Sequence, residues 1–299
     1  MKEGRISRYG LLKEVRTNHR FATFQGVLDG GRVFIKQAVN PALQERLLLD
    51  AVGHITMREL DRLESVYRVP AIIEVSSDFI VTQWADGAPM QEDFRRGNER
   101  VMTNHLAYLL KVYLFIDQRS SGVKGVTRFN LPDEESGITR ILDALKKREL
   151  HAAISTELVE QTTSYVNKKV NTLETRFTNG DLQPGNILVV SGSMPTLVDC
   201  ETCSWLWPRH YNIVNFLVNY GIQHPWLMSE FEGMFSEYCR QLEIIPEKTL
   251  DAFNVSAAMR CLQMIEENFS DHGGISSQTR AYIETIMERI VSDKLFIDS

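Results

Sequence analysis

Short runs of β-branched and aromatic residues alternate with stretches of helical spacing in the first third of the chain. Four strands are predicted there, over residues 20–28, 32–39, 71–75 and 79–84. The first two are joined by Asp29-Gly30-Gly31, a sequence typical of a tight β-hairpin turn. A helical segment is predicted between the second and third strands, over about residues 41–63. The pattern therefore predicts a strand-rich N-terminal part.

Beyond residue 84 the pattern changes. Ala85-Asp86-Gly87-Ala88-Pro89 is a Gly/Pro interruption suited to a hinge, and amphipathic helical spacing predominates after it. The exception is a second hairpin, in which apolar runs over 186–190 and 196–198 flank a turn-forming cluster. We predict an α+β protein with a strand-rich N-terminal lobe and hinge over residues 1–87. Residues 88–299 are expected to form a mainly helical lobe that carries this hairpin.

Three polar side chains lie at the ends of the second hairpin. Asp181 and Asn186 lie in or just after the loop that enters it, and Asp199 ends its second strand. A pairing centred on the turn brings all three near one edge. Phosphoryl transfer needs one carboxylate that takes the proton of the acceptor hydroxyl, and it needs oxygen ligands for Mg²⁺. The spacing indicates such a site, and the alternative is a surface hairpin whose Asp residues only make turns and caps.

The same segment resembles a known family. Residues 180–188 (GDLQPGNIL) resemble the catalytic loop of the aminoglycoside phosphotransferases and their choline-kinase-like relatives. Residues 198–201 (VDCE) resemble that family's metal-binding segment, and residues 208–217 resemble the helix start that follows it. The resemblance implies a two-lobed protein-kinase-like fold, with an antiparallel-sheet N-lobe that binds the nucleotide and includes the hinge, over residues 1–87. It also implies a mainly helical C-lobe over residues 88–299 that carries the catalytic hairpin and the acceptor site. Asn179 and Asn212 depart from the family, which usually has His and Asp at these loop-supporting positions.

The resemblance also implies roles for individual residues. Asp181 corresponds to the catalytic base, and Asn186 and Asp199 to the Mg²⁺ ligands. Lys36, in the second predicted strand, corresponds to the lysine that holds the α- and β-phosphates of ATP. A helical Glu is expected to orient this lysine, and Glu59 is favoured over Glu45. Main-chain groups of Gln83 and Ala85 correspond to those that bind the adenine edge.

These features predict an ATP-dependent kinase that transfers the γ-phosphoryl group to a hydroxyl of a small molecule, such as an amino sugar or amino alcohol. Direct in-line transfer is expected, because the motif holds no convincing covalent nucleophile. The first alternative is a kinase-like binding protein that has lost catalytic turnover, and the second, which is less favoured, is a protein kinase. Acidic and aromatic side chains after the hairpin are either the acceptor pocket or an ordinary helical surface: Trp205, Trp207, Trp226, Glu230, Glu232, Glu266, Glu267 and Asp271.

Composition narrows the remaining classes. The chain has 299 residues, 43% hydrophobic and 24% charged, with a formal net charge of −6 and no Lys/Arg block. This argues against nucleic-acid binding. No apolar run approaches the roughly 20 residues of a membrane helix, and the N-terminus has no apolar signal region, so a cytoplasmic location is expected. Cys200 and Cys203 form a Cys-x-x-Cys pair, for which packing is favoured over zinc or redox chemistry because the other two cysteines are far away and no pair of histidines shows ligand spacing.

Overall fold

An antiparallel sheet of five strands occupies the first part of the chain in a computed structural model, which describes residues 8–18, 20–97, 99–120, 154–272 and 274–297. The strands are β1 (Gly10–Thr17), β2 (Phe21–Leu28), β3 (Gly31–Ala38), β4 (Ile72–Val75) and β5 (Phe79–Gln83). Their order is β1-β2-β3-β5-β4, so β3 is the central strand. The four strands predicted from the sequence are confirmed, and β1 is an additional edge strand.

The turn between β2 and β3 explains why this hairpin could be predicted locally. Asp29 and Gly30 have φ angles of 51° and 80°, both in the left-handed region. Two successive left-handed residues form the turn that matches the twist of two-residue hairpins. Leu28 is accordingly paired with Gly31, and the register continues without interruption to Phe21 and Ala38.

Both faces of this sheet are covered. On one face, Val33 and Ile35 pack in a cluster with Tyr9, Phe79 and Val81. The other face is covered by helix α1 (Gln44–Leu60), which follows a turn of 3₁₀ helix over Pro41–Leu43. The predicted helical segment is thus confirmed, with an end at Leu60.

Lys36 lies on the α1 side of the sheet. Side chains alternate between faces along a strand, so Lys36 points away from its neighbour Ile35. Its Nζ lies 4.5 Å from the ring centroid of Phe21, which packs with Leu47 and Ala51 of α1. Only 7% of Lys36 is exposed, so this lysine is buried under the helix rather than solvated.

The second predicted hairpin is also confirmed. Strand β8 (Ile187–Val189) pairs with β9 (Thr196–Leu197), and β6 (Ala88–Pro89) pairs with the other edge of β8. The short helix α2 (Gln91–Arg96) follows β6. Gly87 has a φ of 125°, and a Cβ there would lie 2.8 Å from the carbonyl oxygen of Val189. Only glycine allows the chain to leave the predicted hinge so close to β8.

The described residues of Met1–Asn98 and Asp181–Cys203 form one compact unit. The sequence-based division at residue 87 places the second hairpin in the C-terminal part, whereas in the structure the hairpin packs within the N-terminal unit. The division of function between residues 1–87 and 88–299 remains a prediction. Every candidate residue named above for base, nucleotide or metal lies within this unit.

The second unit, Glu99–Gly180 with Ser204–Ser299, is mainly helical among its described residues. Its helices are α3 (Glu99–Ser120), α4 (Thr156–Lys169), α5 (Tyr211–Gln223), α6 (Met228–Gln241), α7 (Leu250–His272) and α8 (Ser277–Val291). Strands β7 (Thr175–Thr178) and β10 (Ser204–Pro208), which were not predicted, pair as a two-stranded antiparallel sheet. Helix α5 is central, since every residue from 211 to 221 is buried. Among the described helices, none has the length and apolar character required to cross a bilayer.

His210, which precedes α5, makes the stability of this unit pH-dependent. Burial lowers the pKa of His210 to about 4, although Asp117 opposes the shift. Between pH 6.5 and 4 the unfolded chain therefore takes up a proton that the folded chain excludes, and stability falls as pH falls. We expect a loss of about 2 kcal/mol in unfolding free energy between pH 7 and pH 5 from this group. Urea titrations at both values would measure it.

The matched control is His210→Asn. His210 has a φ of 74°, and Asn is the substitute that tolerates this left-handed conformation best. The variant should lose most of the stability difference between pH 7 and pH 5. An unchanged difference would show that another group carries the pH dependence.

Candidate active site

The loop that enters the second hairpin fixes the carboxylate of Asp181. Gln183 Nε2 donates to Asp181 Oδ1 at 2.7 Å, and Asn186 Nδ2 donates to Oδ2 at 2.9 Å. The same amide of Asn186 also donates to the main-chain carbonyl of Asp181 at 2.8 Å. Both carboxylate oxygens are therefore held by side-chain amides, which set the direction in which Asp181 points.

The hairpin register brings Asp199 beside Asn186. Ile187 pairs with Leu197, and Val198 N donates to Asn186 O at 2.9 Å. Asp199 follows directly, with a φ of 61° in the left-handed region that Asp tolerates better than most residues. The predicted proximity of the polar residues at one end of the hairpin is thus seen in the structure.

Lys36 is surrounded by three carboxylates. Its Nζ lies 2.9 Å from Asp50 Oδ2, 3.0 Å from Asp199 Oδ1 and 2.8 Å from Glu201 Oε2. A lysine ammonium has three donors, so each can be matched to one carboxylate. Three segments distant in the sequence therefore meet at this ammonium: β3, α1 and the chain after β9.

The prediction that Glu59 forms an ion pair with Lys36 is wrong. Asp50, not Glu59, is the α1 carboxylate that reaches Lys36, and Glu59 is exposed and pairs with Arg62 at 2.5 Å. Glu45, the alternative, is exposed in the first turn of α1. Nine residues of α-helix rotate a side chain by about 180° relative to its starting face, so Glu59 points away from the sheet when Asp50 points toward it. A Glu was predicted here, but α1 lies close enough to Lys36 that the shorter side chain of an Asp reaches the ammonium.

Opposite charges set the ionisation of this group. Burial alone would lower the pKa of Lys36, but Asp50, Asp199 and Glu201 together raise it well above its ordinary value. Burial alone would raise the pKa of Asp50, but Lys36 and His54 hold it well below its usual range. Both groups are therefore charged at neutral pH.

The site carries more carboxylates than cations. Arg20 and Arg46 approach the Glu201 carboxylate at 3.4 and 3.9 Å and offset part of its charge. Asp199 has Lys36 as a shared partner and a side chain that is 42% exposed, so it is the carboxylate most open to a ligand. The local negative charge favours binding of a cation beside it.

Asn186 and Asp199 fit a hard divalent cation. The amide nitrogen of Asn186 is committed to Asp181, which leaves its Oδ1 as the atom for a metal. Asp199 adds a carboxylate, and the hairpin register places the two residues side by side. Carbonyl and carboxylate oxygens are the ligands of Mg²⁺, which usually keeps waters and binds few protein groups.

The predicted hinge contacts are partly free for a ligand. Gln83 N donates to Ala71 O at 2.9 Å as part of the sheet, and the Gln83 carbonyl accepts from the Thr82 hydroxyl at 3.2 Å. A carbonyl has a second lone pair, so Gln83 can still accept one hydrogen bond. Ala85 follows β5, and its N–H has no hydrogen-bond acceptor among the described residues. The adenine-binding role of both residues remains a prediction.

A polar network in the helical unit supports the residue before Asp181. Gly180 N donates to Asn212 Oδ1 at 3.3 Å, and Asn215 Nδ2 donates to Gly180 O at 3.1 Å. The network continues from Asn215 to Asn219 and Arg260 along buried faces of α5 and α7. Asn212 thus retains a loop-supporting hydrogen bond, although it lacks the charge of the Asp that the family usually has. The hydrogen bond from Asn215 to Gly180 was not predicted from the sequence, because an asparagine within a helix can have many different partners.

Two of the candidate acceptor residues have partners within the helical unit. Trp207 is buried and stacks on Tyr211 with ring centroids 4.2 Å apart, and Glu267 pairs with Arg260 at 2.9 Å. Trp226 is 62% exposed. The side chains of Trp205, Glu266 and Asp271 lie outside the described residues. The acceptor pocket therefore remains a prediction.

Comparison with known proteins identifies the fold. No protein-family model and no curated protein sequence matches the chain. A thermostable mutant of aminoglycoside phosphotransferase APH(4)-Ia, solved in a ternary complex with AMP-PNP and hygromycin B, has a TM-score of 0.61 and 12% identity, with 95% of this chain and 94% of that chain covered. An ethanolamine kinase from Plasmodium vivax has a TM-score of 0.59 and 12% identity, with 93% and 82% covered. The predicted resemblance is confirmed at the level of fold: this chain has the protein-kinase-like fold of the aminoglycoside phosphotransferases and choline-kinase-like proteins.

Proposed function

We propose that the protein is an ATP-dependent phosphotransferase that moves the γ-phosphoryl group to a hydroxyl of a small molecule. The observation that supports this is the meeting of Lys36 with Asp199, 3.0 Å apart, at the end of a hairpin that also carries Asn186 and Asp181. A phosphate-binding cation, two metal ligands and a base are the groups that this reaction requires.

Asp181 is proposed as the base. In the structure, its two oxygens accept hydrogen bonds from Gln183 and Asn186, so the carboxylate is oriented before any substrate arrives. The carboxylate would take the hydroxyl proton as the bond to phosphorus forms. Orientation of the hydroxyl is then its main contribution.

Lys36 is proposed to hold the α- and β-phosphates, with Asp50 fixing the ammonium from the α1 side. Asn186 and Asp199 are proposed to hold Mg²⁺, which when bound would offset the charge of the phosphates. Because three carboxylates already surround Lys36, a phosphate must displace at least one of them from the ammonium. Asp199 is the most exposed of the three and has a second role at the metal.

The rival proposal is a kinase-like binding protein without turnover, motivated by Asn179 and Asn212. The hydrogen bond from Gly180 N to Asn212 Oδ1 supports activity, because the residue before Asp181 is still anchored. A neutral amide replaces a carboxylate in this role without loss of the acceptor atom.

The decisive experiment is a screen for acceptor-dependent release of ADP from Mg-ATP. Fold neighbours include an ethanolamine kinase and an enzyme solved with hygromycin B, so the pools should contain amino alcohols, aminoglycosides, sugars and nucleosides. ADP release that depends on one pool, with a phosphorylated acceptor seen by mass spectrometry, would support the proposal. ATP binding without release in any pool would favour the binding protein, and phosphorylation of protein substrates alone would favour a protein kinase.

Glu201 is expected to restrain nucleotide binding, because its carboxylate occupies the ammonium that a phosphate would use. Replacing Glu201 with Gln removes one negative charge and also releases Arg20 and Arg46 from an ion pair. ATP should then bind about fivefold more tightly, since a charge change at this distance contributes on the order of 1 kcal/mol in a partly screened site. Isothermal titration calorimetry with Mg-ATP would measure the change.

Asp199→Ala is the matched comparison, because it also removes a carboxylate from Lys36. If Asp199 is a metal ligand, this variant should bind ATP more weakly and lack the strengthening by Mg²⁺ that is expected of the wild-type protein. Opposite directions for the two variants would separate charge competition from metal binding. Tighter ATP binding by both would remove Asp199 from the metal site.

A further inference from the structure

The donor atoms of three side chains come together on the side of α1 that faces the chain after β9, and a fourth candidate ligand, Cys203, lies in the same turn as one of them. Asp50, His54, Cys200 and Cys203 are all buried, with at most 8% exposed. Donor atoms of Asp50, His54 and Cys200 lie within 4.8 Å of one another. The Cβ of Cys203 lies 3.0 Å from the position that a Cβ at residue 53 of α1 would occupy, so Cys203 faces the same side of the helix. We refer to these four residues as the thiol cluster.

The backbone holds the thiol cluster in place from both sides. Asp50 and His54 are one helical turn apart and so share a face of α1. Cys200 N donates to Asp50 Oδ1 at 2.8 Å, and Cys203 N donates to Cys200 O at 3.1 Å, which closes the Cys-x-x-Cys turn. The turn is thus bonded directly to the helix.

Gly53 is what permits this approach. A Cβ at residue 53 would lie 2.3 Å from the carbonyl oxygen of Cys200 and 2.7 Å from its Cβ. Contacts that short do not occur, so any larger residue would force the turn away from α1. A glycine in a helix interior costs about 1 kcal/mol relative to alanine, and here the close approach gives it a reason.

We propose that the thiol cluster is a binding site for a thiophilic divalent cation, with Zn²⁺ as its occupant. Two sulfurs, one imidazole nitrogen and one carboxylate oxygen make a four-ligand set of the kind that zinc takes, whereas Mg²⁺ and Ca²⁺ take oxygen ligands. His54 Nδ1 lies 2.9 Å from the carbonyl oxygen of Asp50, and metal-binding histidines are commonly oriented by such a hydrogen bond.

Charge balance favours this occupant. Burial alone would lower the pKa of His54, but Cys200 and Asp50 raise it well above its ordinary value. Binding therefore releases the imidazolium proton of His54 and one proton from each thiol to solvent, forms two thiolate bonds and one imidazole bond to the cation, and oxidises no group. Two thiolates offset the two charges of Zn²⁺, so the loaded cluster adds little net charge to a buried place. Asp50 can contribute Oδ1, which faces Cys200, while its Oδ2 stays on Lys36.

The cation would tie α1 to the segment that carries Asp199. Cys200 is the next residue after Asp199, and Asp50 is the α1 partner of Lys36. A loaded cluster would therefore stabilise the N-terminal unit next to the proposed phosphate site. The sequence favoured packing for the two cysteines because the other cysteines are distant and no pair of histidines has ligand spacing. Asp50 and His54 are about 150 residues away along the chain and come near Cys200 only in the fold.

The test begins with the wild-type protein, stripped of metals by a chelator under reducing conditions and then given ZnCl₂. After gel filtration, elemental analysis should find about one equivalent of zinc per chain, and the melting temperature should rise. CoCl₂ in place of zinc should give an absorption band from thiolate-to-cobalt charge transfer. The protein needs no substitution for these measurements, so a folding defect cannot obscure them.

Variants then locate the site. Cys200→Ser and Cys203→Ser should each lose the cobalt–thiolate band and most of the retained zinc. Cys239→Ser and Cys261→Ser are the controls, because these cysteines are also buried but lie in α6 and α7 of the other unit, and both variants should retain zinc. Failure of the wild-type protein to retain zinc, or cobalt binding without a thiolate band, would overturn the proposal. So would equal loss of zinc in the control variants.

Discussion

Replacing Asp181 with Asn is expected to lower turnover on the acceptor by at least about 10²-fold, while leaving ATP affinity within a fewfold of the wild-type value. The amide cannot take the hydroxyl proton, although it fills the same space. Asn186 and Gln183 both donate to Asp181, so the variant loses one of these two hydrogen bonds. We expect this loss to cost about 1 kcal/mol, too little to unfold the protein.

Steady-state kinetics on the acceptor found by the screen, with calorimetry for ATP, would measure both effects. Asp29→Asn is the matched control, since Asp29 is an exposed turn residue of the same unit and its left-handed φ of 51° suits Asn. Its turnover should equal that of the wild-type protein. Turnover of Asp181→Asn within a fewfold of wild type would remove Asp181 from the role of base, and loss of its folded state would support the alternative that Asp181 is a turn residue.

The parts of the fold that could be predicted are those with local causes. The β2–β3 hairpin follows from Asp29-Gly30, whose left-handed conformations are a property of the turn itself. The β8–β9 hairpin, which sets Asn186 beside Asp199, likewise needs only a short turn between two apolar runs. Local sequence therefore sufficed to place Asn186 and Asp199 side by side, while their role as metal ligands remains a proposal.

The parts that were missed depend on packing between distant segments. More than two dozen residues separate strands β7 and β10 along the chain, and no turn motif in the sequence indicates that they pair. Glu201 reaches Lys36 only because the chain after β9 lies against α1, a contact that Gly53 permits. Which face of α1 meets the sheet is likewise decided by the burial of Leu47 and Ala51, not by the spacing of acidic residues.

Substitution of Asp50, the α1 carboxylate that pairs with Lys36, tests which face of α1 contacts the sheet. Asp50→Ala should reduce the free energy of unfolding by about 3 kcal/mol, because the buried Cys200 N–H loses its acceptor and the buried Lys36 loses its innermost partner. Asp199 and Glu201 remain near the ammonium, which keeps the loss below that of a fully unpaired buried charge. Urea unfolding at pH 7 would measure it.

Glu59→Ala is the control, because it removes the carboxylate that was predicted from the sequence to pair with Lys36. Glu59 is exposed and pairs with Arg62 at the surface, so its removal should change the unfolding free energy by no more than about 0.5 kcal/mol. Asp50→Asn should fall between the two variants, since its amide oxygen can still accept from Cys200 N while the charge facing Lys36 is gone. If Asp50→Ala were as stable as wild type, or Glu59→Ala the more damaging change, the assignment of Asp50 as the partner of Lys36 would be wrong. We therefore expect the loss in free energy of unfolding to be largest for Asp50→Ala, smaller for Asp50→Asn and smallest for Glu59→Ala. This order follows if Asp50 is a buried carboxylate with both a charged and a main-chain partner.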